Sequence, residues 1–184
     1  MSFPKAYSDA VAKLRVPGGF ALAAAYIWLA APTGQSMAAG LPISVIGLLL
    51  RAWAAGHLAK NANLATSGPY AYVRNPLYLG TLITAAGLVV AAQSPGVAIL
   101  FALVFFAVYF PVIQLEEQHL ANLFPGFAAY RARVPLLLPR GRRLSSDARF
   151  RPALYRRNEE YNAALGWLAA VAVLAWKLSQ GRPS

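Results

Sequence analysis

The chain has 184 residues, of which 58% are hydrophobic and 12% charged, and its mean hydropathy is +0.47. A soluble domain carries about 25% charged residues, so a soluble all-helical protein of this composition would lack the polar side chains to cover its surface. We attribute the net charge of +11 to loops held against anionic membrane lipids, with no nucleic-acid partner. The absence of cysteine excludes disulfides, thiolate metal sites and a cysteine nucleophile.

Five apolar runs, each near the length of roughly 20 residues that crosses a bilayer, follow one another along the chain. They show no strand alternation, and lipid permits only helices or closed barrels, so each run predicts a helix. The runs cover about Val16–Ala31, Leu41–Ala59, Leu77–Ala92, Gly96–Leu115 and Ala163–Leu178. Four prolines are expected at their ends, where a missing N–H costs little: Pro32, Pro42, Pro76 and Pro95.

Basic residues are distributed unevenly between these runs. They precede the first run, lie between the second and third, and are densest between the fourth and fifth, whereas the connections Pro32–Gly40 and Gln93–Pro95 carry no charge. The positive-inside rule therefore predicts a multi-pass integral membrane protein with a cytoplasmic N-terminus and its polar chemistry on the cytoplasmic side. The short turn between the third and fourth runs predicts a hairpin that brings Arg74–Tyr78 close to Glu116 and Glu117.

Polar side chains gather at the predicted mouths of these two helices. Glu116 and Glu117 are expected to end the fourth helix, where the helix dipole disfavours anions, so a protein arginine or a cationic ligand should compensate them. Arg74 and Asn75 lie just before Pro76, at the start of the third helix. Single members of this group are ordinary interfacial residues, but their cluster predicts a site at the membrane surface.

Three further polar residues lie outside the cluster. His57 and His119 lie near the same membrane face, but a metal site needs three or four converging ligands, so no metal is expected. Arg51 lies within the second run, where an unpaired cation is costly. Three explanations stay open for Arg51: a carboxylate partner, a bound anionic lipid, or a side chain that extends to the surface.

The run Gly68–Gly80, which reads GPYAYVRNPLYLG, resembles the signature of the isoprenylcysteine carboxyl methyltransferase family, which is grouped with the membrane phospholipid methyltransferases. That signature reads Arg-His-Pro-x-Tyr, and Glu-Glu follows it about one helical hairpin later, as Glu116-Glu117 does here. The resemblance covers roughly Ala62–Pro139, because later residues also look like the family's C-terminal pattern: Leu120, Phe124, Gly126, Tyr130, Val134, Pro135 and Pro139. Asn75 stands where the family's best-studied members have histidine.

The resemblance implies an S-adenosylmethionine-dependent membrane enzyme with a cytoplasmic cofactor pocket. Carried over residue by residue, the cofactor-binding positions are Asn63, Leu64, Ala65, Tyr70, Asn75, Pro76, Leu77, Tyr78 and Glu116. Arg74 and Glu117 are the predicted catalytic residues: Arg74 would hold a carboxylate, and Glu117 would take a proton if the acceptor is an amine. Asn75 keeps hydrogen bonding but cannot carry a proton as histidine does.

The implied organisation is one membrane methyltransferase domain over residues 1–184, with a cofactor-binding core at 62–139, a basic cytoplasmic segment at 140–160 and the last transmembrane helix at 161–184. The expected acceptor is lipophilic, either a prenylated carboxylate or a phospholipid amine. Two classes remain as rivals: a non-catalytic protein that binds anionic lipid, and a channel or transporter. The Arg-rich stretch 140–157 could cap the site, bind lipid or have no specific role, and its apolar residues suggest contact with the membrane.

Overall fold

The computed structural model describes residues 5–139 and 148–181, and within these ranges its regular elements are all helical. The α-helices are α1 (Lys5–Leu29), α2 (Gly34–Ala55), α3 (Pro76–Ala92), α4 (Pro95–Val104), α5 (Phe110–Leu123), α6 (Phe127–Arg133), α7 (Pro152–Arg157) and α8 (Tyr161–Ser179). A short 3-10 helix covers Gly68–Ala71, and a π-helical turn, Phe105–Tyr109, joins α4 and α5 into one continuous helix. The prediction of an all-α membrane helical bundle is confirmed.

The five predicted spans correspond to five apolar helices of unequal length. In the part of the chain that the structure describes, three helices are long and apolar enough to cross a membrane, namely Gly34–Ala55, Pro95–Leu123 and Tyr161–Ser179. Two apolar helices are shorter, Pro17–Leu29 and Pro76–Ala92. Large apolar side chains such as Phe20, Trp28 and Phe106 are exposed on the outside of the bundle, as expected for a surface that faces lipid.

Two helix beginnings differ from the sequence prediction. Helix α1 begins at Lys5 and continues through Pro17, well before its apolar part. Helix α2 begins at Gly34, so Pro42 lies inside it and its prediction as a helix end was wrong. The earlier start of α2 has a local cause: the Oγ1 of Thr33 accepts from the N–H of Ser36 (3.1 Å), and the Oγ of Ser36 accepts from the N–H of Thr33 (2.9 Å), which forms a capping box.

The two glutamates do not end their helix, because α5 continues to Leu123. The prediction was wrong because the continuous apolar run ends at Leu115, although a helix that leaves the bilayer can continue without one. Pro111 lies just after the π-helical turn and lacks the N–H that would bond the carbonyl of Ala107. The hydroxyl of Tyr7 in α1 donates to that carbonyl instead (3.4 Å).

Helices α2 and α3 pack with their backbones in close approach. Small residues four or three apart face each other: Gly40, Ser44 and Gly47 on α2, and Gly80, Thr84 and Gly87 on α3. A Cβ atom on Gly47 would lie 2.6 Å from the carbonyl oxygen of Gly80, and one on Gly87 would lie 2.6 Å from that of Gly40. Only glycine permits this approach, which lets the two backbones gain van der Waals contact without a hydrophobic driving force.

Helix α8 is attached to the other helices by polar contacts at three depths. The indole N–H of Trp167 donates to the Oγ of Ser44 (2.7 Å), and the Nζ of Lys177 donates to the carbonyl of Ala30 (2.6 Å). At the opposite end, Glu160 just before α8 accepts from Arg51 of α2 (Nε–Oε1 2.5 Å). The side chains that line the site described next lie at this last end of the bundle.

The described part of the basic segment packs on the C-terminal end of α2. The amide of Arg151 donates to the carbonyl of Gly56 (2.9 Å), and the Nδ2 of Asn158 donates to the carbonyls of Ala55 (3.0 Å) and Leu58 (2.9 Å). Leu154 is buried. Asn158 therefore joins this segment to the turn that ends α2, where the carbonyl of Ala55 also accepts from the N–H of Leu58 (3.3 Å). Residues 140–147 of the Arg-rich stretch lie outside the described residues.

Candidate active site

One cavity lies where the C-terminal end of α2, the N-terminal end of α3 and the polar turns of α5 meet. All the residues that the sequence placed in the site line it: Asn63, Leu64, Ala65, Tyr70, Arg74, Asn75, Pro76, Leu77, Tyr78, Glu116 and Glu117. They come from the loop after α2, from the chain around the start of α3, and from α5. The hairpin of α3 and the α4–α5 helix thus brings the two separate motifs together.

Arg74 and Glu117 form a two-bond ion pair in the wall of this cavity. The Nε of Arg74 donates to Oε1 of Glu117 (2.6 Å), and its Nη2 donates to Oε2 (3.1 Å). Each side chain is about 10% exposed. The Nη1 of Arg74 also donates to the carbonyls of Arg131 (3.0 Å) and Val134 (2.7 Å), at the C-terminal end of α6. Because protein acceptors take four donor interactions of the guanidinium, Arg74 acts here as a clamp between α5 and α6.

The backbone around Asn75 holds this clamp in place. Asn75 precedes Pro76, so its backbone is non-helical and α3 begins only at the proline. The amides of Arg74 and Asn75 donate to the carbonyls of Pro135 (2.9 Å) and Leu136 (3.2 Å). The buried Asn75 side chain donates to Oε1 of Glu117 (3.3 Å). Asparagine thus supplies a hydrogen bond to the carboxylate at the position where histidine stands in the resembled signature.

Glu116 differs from Glu117 in its surroundings. It is exposed, and its Oε2 accepts from the hydroxyl of Tyr78 (2.9 Å) across the hairpin. Glu117, in contrast, is buried and receives three N–H donors from Arg74 and Asn75. The negative charge of Glu117 is compensated inside the protein, so Glu116 is the carboxylate that is accessible to a cationic ligand in the cavity.

Two buried tyrosines complete the apolar side of the site. Burial, with a smaller contribution from the charge of Glu116, raises the pKa of Tyr70, and burial likewise raises the pKa of Tyr130. Both phenols therefore stay protonated in the physiological range. The hydroxyl of Tyr130 donates to the carbonyl of Tyr70 (2.8 Å), which fixes the 3-10 turn against α6.

The cavity is narrow as it stands, with a volume of about 70 Å³. Pockets for small molecules commonly measure about 300–1,000 Å³. Its outer wall is the irregular loop between α2 and the 3-10 turn, where Lys60, Asn61 and Asn63 are exposed. A ligand the size of a nucleoside would require this wall to move outward, and exposed loops are the parts of a fold that move most readily.

Sequence reasoning did not assign several cavity residues to the site: Leu58, Lys60, Asn61, Leu120, Phe124, Phe127 and Tyr130. The spacing of four from Glu116 to Leu120 places both on one face of α5, and that spacing was the available signal. Phe124 is the first residue beyond the helix and has an extended backbone. Phe127 and Tyr130 form a buried cluster with Val134, to which Leu120 and Phe124 add. The loop residues carry no pattern that distinguishes them from ordinary turn residues.

The three polar residues outside the motif have separate positions. Arg51 pairs with Glu160 and donates to the Oγ1 of Thr81, which decides among the three explanations in favour of a carboxylate partner. His119 is exposed, and His57 bonds Ser67 through Nδ1 (3.0 Å). Among residues 5–139 and 148–181, no three His, Cys, Asp or Glu side chains group closely enough to hold a metal ion.

Fold and site together define a polytopic helical membrane protein with a polar cavity at one end of the bundle. The family model described as phospholipid methyltransferase matches residues 20–126, which is more than half of the chain. The protein therefore belongs to the phospholipid methyltransferase family. No solved structure matches the chain.

Three relatives are similar over part of their length. The cobalt-zinc-cadmium resistance protein CzcN of Cupriavidus metallidurans is 39% identical over 55% of this chain and 46% of its own. The nickel-cobalt-cadmium resistance protein NccN of Alcaligenes xylosoxydans xylosoxydans is 32% identical over 61% of this chain and 53% of its own length. The protein-S-isoprenylcysteine O-methyltransferase of Schizosaccharomyces pombe is 36% identical over 44% of this chain and 34% of its own length. The chain thus spans about half or less of the length of these relatives.

Proposed function

We propose that the protein is an S-adenosylmethionine-dependent methyltransferase that acts on a lipophilic acceptor at the cytoplasmic face of a membrane. The observation that supports this most directly is the cavity. The carboxylate of Glu116, which forms no ion pair within the described residues, lines one space with Tyr70, Tyr78 and the loop Asn63–Ala65, and the family match covers these positions. A carboxylate flanked by tyrosines suits a ligand that carries positive charge, as a sulfonium with an amino group does.

The residues divide into two groups by what they contact. Glu116 would pair with the amino group of the donor, while Tyr70 and Tyr78 would pack against its adenosine or cationic part. The loop Asn63–Ala65 would cover the ligand after moving outward to admit it. Bound S-adenosylmethionine supplies an electrophilic methyl group, and transfer of that group needs alignment and a desolvated nucleophile, with no covalent enzyme intermediate.

The clamp supports a carboxylate as the preferred acceptor. An amine must lose a proton before it attacks, and Glu117 was the expected base. In the structure, Arg74 and Asn75 donate three N–H groups to that carboxylate, so taking up a proton would weaken a buried ion pair. A carboxylate acceptor needs no base. We therefore propose an apolar acid, of the kind named in the isoprenylcysteine O-methyltransferase relative, as the acceptor.

A phospholipid amine is the second candidate. It is supported by the family match over residues 20–126, whose description names phospholipid as the methylated class. In that case the exposed Glu116, rather than the clamped Glu117, would be the carboxylate nearest to a departing proton. Either acceptor would reach the site laterally from lipid, which avoids moving an apolar chain through water at about 0.8 kcal/mol per CH₂.

The donor site is tested by binding of S-adenosylhomocysteine to the detergent-purified protein, measured by calorimetry. The Glu116→Gln variant should bind at least about tenfold more weakly, since a charge-assisted hydrogen bond contributes about 1.5–3 kcal/mol. Glu159→Gln is the matched control, because Glu159 is also an exposed carboxylate and lies outside the cavity. Unchanged affinity in Glu116→Gln would remove the central assignment.

The acceptor is tested by methyl transfer from labelled S-adenosylmethionine to an S-prenylated cysteine acid or to phosphatidylethanolamine. A base-labile methyl ester in the extracted product identifies a carboxylate acceptor. Label that resists base and stays in the headgroup identifies the amine. Binding of S-adenosylhomocysteine without transfer to either substrate would retain the donor site and reject both acceptor classes.

A further inference from the structure

A second polar cavity lies on the other side of the loop that borders the candidate active site. The two cavities share the wall Asn63–Ala65, but this one faces the basic segment. It has a volume of about 230 Å³ and is lined by His57, Thr66, Ser67, Arg149 and Arg151, among others. None of these five residues lines the first cavity, so the proposed methyl transfer does not use them.

The fold holds this cavity together from both sides. The ring of Phe150 contacts Gly56, where a Cβ atom would overlap the ring, and the amide of Arg151 donates to the carbonyl of Gly56 (2.9 Å). Residues Arg149 and Arg151 therefore lie beside the end of α2 because the residue between them is anchored. Gly68 lies against the ring of His57 with φ of +56°, a conformation suited to glycine.

The charge in this cavity is positive, and none of the described carboxylates forms an ion pair with its two arginines. In the described parts of the chain, the ion pairs are Arg51–Glu160 and Arg74–Glu117, so neither Arg149 nor Arg151 has a carboxylate partner there. Thr66 and Ser67 add hydroxyl groups to the same lining. Two guanidinium groups match the oxygen atoms of a phosphate group, which arginine binds through paired N–H donors, and the Thr66 hydroxyl adds a further donor beside the Ser67–His57 hydrogen bond.

Aromatic side chains indicate the depth of this cavity relative to the membrane. Trp53 and Phe150 are 42% and 44% exposed, and both rings lie next to His57 with centroids 6.4 Å away. Exposed tryptophan at the end of an apolar helix is typical of the headgroup level of a bilayer. The cavity thus lies at the depth where the phosphate groups of lipids are found.

We propose that this cavity binds the phosphate group of an anionic phospholipid of the surrounding leaflet. The lipid chains would remain in the bilayer beside Trp53, while the headgroup phosphate contacts Arg149 and Arg151. The site shares the wall Asn63–Ala65 with the proposed donor site but none of its arginines, so its occupation can be measured without methyl transfer.

The test uses the purified 184-residue chain in neutral detergent. Thermal unfolding is followed with short-chain phosphatidylglycerol, with phosphatidylcholine of equal chain length, and with inorganic phosphate. We expect phosphatidylglycerol to raise the unfolding temperature in a saturable way and phosphatidylcholine to have little effect. Equal stabilisation by inorganic phosphate at the same concentration would retain the phosphate site but overturn its assignment to lipid. No stabilisation by phosphatidylglycerol or phosphate overturns the proposal.

Two double variants locate the effect. R149Q/R151Q should bind phosphatidylglycerol at least about tenfold more weakly, because it removes the guanidinium N–H donors that would contact the phosphate directly, and hydrogen bonds to charged groups contribute about 1.5–3 kcal/mol. R156Q/R157Q is the matched control, since it removes the same charge from exposed positions of the same segment that do not line the cavity. R149K/R151K should keep most of the binding. Equal loss in both glutamine variants would indicate a diffuse charge effect and refute the site.

Discussion

Two ion pairs lie at the same end of the bundle, with the same bonding pattern and different surroundings. In each pair the Nε and Nη2 of an arginine donate to the two oxygens of a glutamate. Arg74–Glu117 lines the candidate active site and also binds the end of α6. Arg51–Glu160 lies outside that cavity and joins α2 to the beginning of α8. The same two-bond Arg–Glu pair therefore forms part of the candidate active site in one place and attaches a helix to the bundle in the other.

Breaking the first pair should have the largest effect. Arg74→Met leaves the buried carboxylate of Glu117 without its partner and should lower the free energy of unfolding by about 3–5 kcal/mol. Unfolding of the purified protein in detergent measures the change. The double variant Arg74→Met/Glu117→Leu should lose less than the single one, because no buried charge is left unpaired. Additive losses would mean that the two side chains are not coupled.

Breaking the second pair should cost less and leave the site intact. Arg51 is 23% exposed, so solvent partly screens the charge left by Glu160→Gln. We expect a loss of about 2–3 kcal/mol, at or below the lower end of the range for buried pairs. Binding of S-adenosylhomocysteine should be within about twofold of the unmutated protein, since the pair lies outside the cavity. A clear loss of S-adenosylhomocysteine binding in Glu160→Gln would remove the distinction between the pairs.

A change next to the second pair sharpens the same comparison. A Cβ atom on Gly80 would lie 2.6 Å from the Cγ of Arg51 and 2.8 Å from the carbonyl oxygen of Gly47. Gly80→Ala should therefore separate α2 from α3 and destabilise the protein by about 2 kcal/mol. Gly166→Ala is the control, because nothing lies within 4 Å of a Cβ at that helical position. The control should be neutral or slightly stabilising.

The smallest expected change in stability comes from the hydrogen bond that fixes the 3-10 turn against α6, next to the Arg74–Glu117 pair. Tyr130→Phe removes the hydrogen bond to the carbonyl of Tyr70 and should lower stability by about 1 kcal/mol. Tyr161→Phe, at an exposed position, should change it by less than about 0.5 kcal/mol. If both variants unfold at the temperature of the unmutated protein, the Tyr130 hydroxyl contributes no net stabilisation.

The two pairs also differ in how far the sequence could predict them. Arg74 and Glu117 belong to two linked motifs, and the short turn after α3 requires their helices to be antiparallel neighbours. Arg51 was recognisable as a costly buried cation, but Glu160 lies 109 residues away beyond a long basic segment. No local sequence pattern indicates which carboxylate forms an ion pair with such a cation, because the pairing depends on how α8 packs.

The fold itself was predictable where lipid imposes a simple rule. Apolar runs located the five membrane-associated helices, since a chain in hydrocarbon must satisfy its own backbone. The rule is silent outside the hydrocarbon, so the polar start of α1, the extension of α5 to Leu123 and the packing of Phe150 on Gly56 went unpredicted. The site residues were identified by a family resemblance, and their assignment to a methyl donor stays a prediction.

The length of the continuous helix Pro95–Leu123 determines where Glu116 lies relative to the boundary between hydrocarbon and water. At 1.5 Å per residue, Glu116 lies about 32 Å along the axis from Pro95, just past the roughly 30 Å of hydrocarbon in a bilayer. Under the proposed function, the charged methyl donor would reach this carboxylate from water, while the lipophilic acceptor would approach the neighbouring Tyr78 from the hydrocarbon. A helix one or two turns shorter would place the Glu116 carboxylate within the hydrocarbon, where a charged ligand could not reach it from water.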